Sequence, residues 1–186
     1  MKQRFKLTIA YDGRPFEGWQ SQPSGNTVQD HLNLAATEIC PNISTIQGSG
    51  RTDAGVHALG QVAHWEVLED WSMDASAWLR ALNTKLPRTI RVMECEVAKP
   101  DFHAQFSATG KTYRYEIFTG DVLPPLSVGL AWHLRQQIDR KILRQAAKLF
   151  EGEHDFAAFA ANRGDPDSNP ETTVRRIEEV AIEEAE

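Results

Sequence analysis

Gly48-Ser49-Gly50-Arg51-Thr52-Asp53-Ala54-Gly55-Val56-His57-Ala58-Leu59-Gly60-Gln61-Val62 decides the reading of this chain. It joins two strand-like runs, 43–47 and 61–67, and its glycines surround one guanidinium, Arg51, and one carboxylate, Asp53. Glycine reaches backbone shapes that other residues resist and lets a ligand come close. Two readings are open from the residues alone. The loop is built to present Arg51 and Asp53, or it is a surface turn whose Asp and Thr satisfy local backbone groups.

Working outward, the periodicity predicts an ordered unit on both sides of this loop. Phe5, Leu7, Ile9 and Tyr11 alternate over 5–11, which is strand spacing. Val28, Leu32, Ala35 and Ile39 form a helical stripe over 27–40, with Thr27 and Asp30 placed for a capping box and Pro41 after the end. A second helix starts at Asp74 and runs through Trp78, Leu79, Leu82 and Leu86 to Pro87, and 90–97 reads as a strand. The order is β-α-β-β-α-β, so the fold class is α+β with a ferredoxin-like N-terminal domain over 1–98 that carries the loop.

Beyond it, 99–110 reads as a linker and 112–118 as a strand, with Tyr113, Tyr115 and Ile117 on one face. A short strand at 131–134, a helix over 139–151 with Ile142, Ala146, Leu149 and Phe150 on its core face, a polar loop over 163–170 and a strand over 174–182 follow. The 99–186 part is therefore expected to be a partial C-terminal domain. It starts as the first unit does and stops after strand, helix and strand, which leads us to expect a chain shortened at its C-terminus or a natural short variant.

The 186 residues are 41% hydrophobic, enough for a real core, and carry a net charge of −6. That is not the balance of a typical nucleic-acid binder. The excess is concentrated in Glu178, Glu179, Glu183, Glu184 and Glu186, which leaves the rest of the chain close to neutral. A local basic groove is still permitted, and Arg14, Arg51, Lys111 and Arg114 are its candidates. Cys40 and Cys95 sit in apolar-periodic segments and read as buried free thiols. His57, His64 and His103 fit no metal-ligand spacing, and no metal site is expected. The apolar run 7–10 is too short for a signal peptide, and no segment approaches membrane-spanning length, so a soluble cytoplasmic protein is expected.

The unbroken run Gly50-Arg51-Thr52-Asp53-Ala54-Gly55-Val56-His57 resembles the signature of the TruA family of tRNA pseudouridine synthases. Tyr11-Asp12-Gly13, Gly18-Trp19-Gln20, Phe102-His103-Ala104-Gln105-Phe106-Ser107-Ala108, Tyr113-Arg114-Tyr115, Asp155-Phe156 and Thr173-Val174-Arg175 continue the resemblance in the same order. It implies a pseudouridine synthase fold of two such units with RNA bound across the cleft between them. It also implies a homodimer, and uridine-to-pseudouridine isomerisation in the anticodon stem-loop of tRNA without metal, nucleotide or redox cofactor.

The resemblance makes Asp53 the catalytic carboxylate, acting as a nucleophile at the sugar or the base, or as a base that drives glycal formation. Arg51 matches the arginine that fills the space of the flipped-out base. Tyr113 matches the tyrosine beside the catalytic Asp, where its ring stacks on uracil or its hydroxyl moves a proton. Arg14, Lys111 and Arg114 join Arg51 and Tyr113 as substrate-binding candidates. Tyr11, Phe102 and Phe106 read as core or pocket wall. The competing readings are a non-catalytic RNA-binding module and, with little support, an Asp/His hydrolase that lacks a Ser or Cys on an elbow turn.

Overall fold

Alternating apolar residues drive the central strand β1, Gln3–Tyr11, whose Phe5, Leu7, Ile9 and Tyr11 are all buried on one face. The structure is a computed structural model that describes residues 2–67, 72–159 and 172–184. It divides into two compact units, Met1–Tyr113 and Arg114–Glu186.

In the first unit, α1 spans Val28–Ile39. Thr27 Oγ1 accepts from the Asp30 N–H at 3.2 Å and Asp30 Oδ2 accepts from the Thr27 N–H at 3.2 Å, so the capping box expected from sequence is formed. Strand β2, Gln47–Gly48, and strand β3, Ala58–Val67, flank the glycine-rich loop. Helix α2, Ala75–Lys85, starts where Asp74 accepts from the Ala77 N–H at 2.7 Å, and β4 covers Ile90–Val97. The sheet order is β2-β3-β1-β4 with every pair antiparallel.

One sheet face and the two helices enclose the core. Phe5 stacks on Trp65 at 5.1 Å between ring centroids, and Trp65 meets Trp78 of α2 edge-on at 5.5 Å. Register shifts in β1 between Ile9 and Tyr11 and between Thr8 and Ile9 interrupt the ladders near the strand's end. Irregularities of this kind re-aim side chains, and Tyr11 lies at this one.

The first unit reaches past the expected boundary at 98. The stretch read as a linker lies on the sheet instead. Arg4 Nη1 donates to the Phe102 carbonyl at 2.6 Å, the Ala104 N–H donates to His64 Nδ1 at 3.2 Å, and Lys6 Nζ stands 5.9 Å from the Phe102 ring centre. These groups belong to the polar side of β1 and β3, so a segment that satisfies them is held although it has no regular structure. The expected strand at 43–47 is confined to Gln47–Gly48, with Ile43 in an isolated bridge to Val67.

The second unit holds β5, Ile117–Phe118, parallel to β6, Trp132–His133; the helix α3, Arg140–Lys148; and β7, Gly152–Asp155, antiparallel to β8, Val174–Ile177. Three expectations need correction here. The strand expected over 112–118 pairs only at its last two residues, and Tyr113 and Tyr115 are exposed. A strand exists only where a neighbour takes its hydrogen bonds, and among the described residues β6 is the neighbour it has. The helix expected to 151 stops at Lys148, with Ala147 buried and Ile142, Leu149 and Phe150 exposed. β8 is shorter than the 174–182 expected, and its partner β7 was not foreseen. The expected polar loop 163–170 lies outside the described residues.

Candidate active site

Two clamps hold the loop between β2 and β3 against the chain that leaves β1. The first grips Thr52. Its hydroxyl pairs with the Tyr11 hydroxyl at 2.8 Å, and its carbonyl accepts from the Trp19 N–H at 3.0 Å. Burial pushes the Tyr11 phenol up, only partly offset by the bond to Thr52, so it stays a neutral hydrogen-bonding group. Gly18 adopts φ +95, and a Cβ there would fall 2.5 Å from the Thr52 carbonyl oxygen.

The second clamp grips 55–57. The Gly13 N–H donates to His57 Nδ1 at 3.3 Å, and the same ring nitrogen lies 3.3 Å from Asp12 Oδ1. A Cβ on Gly13 would sit 2.0 Å from the Val56 carbonyl oxygen, so the two backbones are in direct contact. Asp12 also takes Arg14 in a fork. Nε donates to Oδ1 at 3.0 Å and Nη2 to Oδ2 at 2.6 Å. The Arg14 guanidinium holds the Asp12 carboxyl down to about 2, so this anchor is ionised at any working pH.

Between the clamps the Val56 N–H returns to the Asp53 carbonyl at 3.2 Å, closing a turn with Gly55 at φ +79. Asp53 opens this turn and is exposed, as is Arg51 two residues before it. The loop's start is tied to β3, with the Ser49 N–H donating to the Val62 carbonyl at 2.8 Å and the Gln61 side-chain amide donating to the Gly50 carbonyl. A Cβ on Gly48 would strike the buried Trp19 ring at 2.5 Å, and one on Gly50 would fall 2.4 Å from Lys111 Nζ. The Lys111 ammonium therefore covers Gly50, next to Arg51.

The structure thus gathers Arg51, Asp53, Lys111 and Arg14 around one loop. Arg14 pairs with Asp12, so its charge also serves the clamp. Tyr113 ends the first unit and is 71% exposed, an available ring and not an inward strand residue. Arg114 falls in the second unit and pairs with Glu116 at 2.8 Å on the surface. Of the aromatics expected as core or pocket wall, Tyr11 is core, Phe102 is half-buried, and Phe106 is 80% exposed on top of the His103 ring, 4.3 Å away.

His64 is buried and accepts from Ala104, while His103 Nε2 meets the Gln47 side-chain carbonyl at 3.0 Å, so both rings serve the 102–107 segment. No cluster of His, Cys, Asp and Glu suited to a metal occurs among the described residues. Cys40 is buried and Cys95 half-buried; both are free, and burial pushes the Cys95 thiol up to about 12, which makes it inert. Sequence reasoning missed Asp12 and His57 as working parts of the site. The available signal was an Asp-Gly turn directly after a strand and a His closing the loop, but nothing in the spacing says that the two meet.

A family model described as tRNA pseudouridine synthase matches residues 7–107 and 146–186. A tRNA pseudouridine synthase A from Akkermansia muciniphila is 54% identical over 174 residues, 93% of this chain and 66% of that protein. One from Syntrophotalea carbinolica is 42% identical over 181 residues, 97% and 69% of the two chains. One from Methylacidiphilum infernorum is 42% identical over 170 residues, 91% and 66%. The chain spans about two thirds of the length of these relatives.

Proposed function

Because the chain belongs to the tRNA pseudouridine synthase family, we propose that it isomerises uridine to pseudouridine in the anticodon stem-loop of tRNA. The observation that carries this reading is the presentation of Asp53: an exposed carboxylate on a turn held on both sides by Thr52 and His57. Such restraint is what a group needs if it is to meet a reacting carbon without further ordering.

The reaction breaks the N1–C1′ bond of uridine and forms a C5–C1′ bond. A proton leaves C5 and one is taken up at N1. Asp53 supplies the carboxylate at the reacting sugar and base. Arg51 takes the space of the flipped-out base, and its permanent charge offsets part of the cost of unstacking. Lys111, over Gly50, adds a second cation for the RNA backbone on the same side. Tyr113 offers an exposed ring to the uracil and a hydroxyl for the proton leaving C5. Arg114 contributes to backbone binding only by giving up Glu116.

The element order and the antiparallel β2-β3-β1-β4 sheet support a ferredoxin-like class for the first unit. Family resemblance supports action as a homodimer and, since tRNA is the substrate, work in the cytoplasm. No helix among the described residues is long and apolar enough to cross a membrane. A non-catalytic RNA-binding module would have no use for a carboxylate on so firmly held a loop. The test is incubation of the protein with tRNA labelled with tritium at uridine C5. Release of tritium to water is expected, and tRNA binding without release would leave the binding module as the better reading.

A further inference from the structure

We propose that Asp12, acting through His57, is a positioning residue that sets the place of Asp53 during turnover; this rests on the function proposed above. The inference comes from three contacts that converge on one point of the loop. His57 Nδ1 faces two groups of the 12–14 turn at the same distance, the Gly13 N–H and Asp12 Oδ1, each at 3.3 Å. A neutral ring accepts at Nδ1 from Gly13. A ring protonated at Nδ1 donates to Asp12. The ring is thereby tied to the 12–14 turn, where Asp12 in turn pairs with Arg14.

Beside it, Gly13 lies so close to the Val56 carbonyl that no side chain fits, which fixes the separation of the two backbones. Asp12 is itself fixed, by the Arg14 fork and by its own N–H donating to the Thr89 carbonyl at 2.9 Å, just ahead of β4. A rigid path thus runs from the β4 end of the sheet through Asp12 and His57 to the turn that closes on the Asp53 carbonyl. Asp12 touches no reacting atom in this scheme. Its work is to keep the carboxylate four residues before His57 from wandering, and a displacement of about 1 Å in such a group costs about 100-fold in rate.

The experiment compares Asp12→Asn, His57→Phe and His57→Asn with wild type in the tritium-release assay, together with amide hydrogen exchange over 51–57. Asp12→Asn removes the charge at nearly constant shape. His57→Phe keeps a ring but no acceptor, and His57→Asn restores an acceptor near the Nδ1 position. Asp12→Asn and His57→Phe are expected to speed exchange over 51–57 and to lower kcat by about 10- to 100-fold with KM for tRNA little changed, and His57→Asn to recover most of the rate. A lost scaffold would instead speed exchange throughout β1 and β3. Unchanged exchange over 51–57 overturns the proposal, as does faster exchange with undiminished kcat. If wild type itself releases no tritium, the proposed function has failed, and the proposal fails with it in its catalytic part, while the exchange data still decide whether Asp12 and His57 hold the loop.

Discussion

Gly13 and Gly60 differ in what an added methyl group would meet, and they make a matched pair of tests. At Gly13 the obstacle is the Val56 backbone carbonyl at 2.0 Å; at Gly60 it is the Thr8 methyl at an ordinary 3.7 Å. Gly13→Ala should cost more than about 2 kcal/mol, whereas Gly60→Ala should stay within about 0.5 kcal/mol, both read from urea melts. Arg51→Ala removes a side chain that ends in solvent. It should leave those melts unchanged, cut turnover, and lower the slope of log affinity for tRNA against log salt by about one. At this scale the exposed placement of Asp53 and Arg51 on a loop was legible in the sequence, because glycines frame them. The partnership of Asp12 with His57 was not. It joins positions far apart in sequence, and only the meeting of the β1 end with the β2–β3 loop brings them together.

Helix signals were the most readable of the elements. Thr27 with Asp30, and Asp74 with Ala77, form the caps that their residue types announce, since an orphan N–H at a helix start needs an oxygen of that kind. Thr27→Ala should cost about 1 kcal/mol in a urea melt. Strand edges were less readable, because pairing depends on a neighbour that the strand's own sequence does not name; 112–115 alternates well but joins no strand among the described residues. The docking of 99–110 is hidden in its own sequence for a related reason, since it depends on His64, Arg4 and Lys6 of other elements. That docking carries a pH signature. Burial, with His103 and Arg4 nearby, holds His64 below its ordinary value. The unfolded chain takes up this proton near pH of about 6.5, while the folded chain resists it. Stability should therefore fall as pH drops from about 6.5 through the lower folded-state value, and be flat in this respect above it. Urea melts of wild type and His64→Gln across that window check this: the variant should lose the slope. Asp12 acts in a separate window, its contribution present above about 4 and lost only as pH falls towards its own value of about 2.

Over the whole molecule the two units differ in how much core each holds. The first buries Phe5, Trp19, Trp65, Trp78 and their neighbours, whereas in the second Ala147 is the one buried hydrophobic among the described residues. Amide exchange should follow this division, with β1 and β3 exchanging only on global unfolding and α3, β7 and β8 through cheaper local openings. The loop that carries Asp53 belongs to the better-packed unit, and that is where a side chain's backbone can be held still. If Asp53 on this loop performs the isomerisation, replacing its carboxylate by an amide must abolish turnover without loss of tRNA binding. Wild type and Asp53→Asn are each bound to tRNA tritiated at uridine C5, and release is followed at saturating protein. Equal binding is expected, with release by wild type and none by Asp53→Asn. Appreciable release by Asp53→Asn would contradict it.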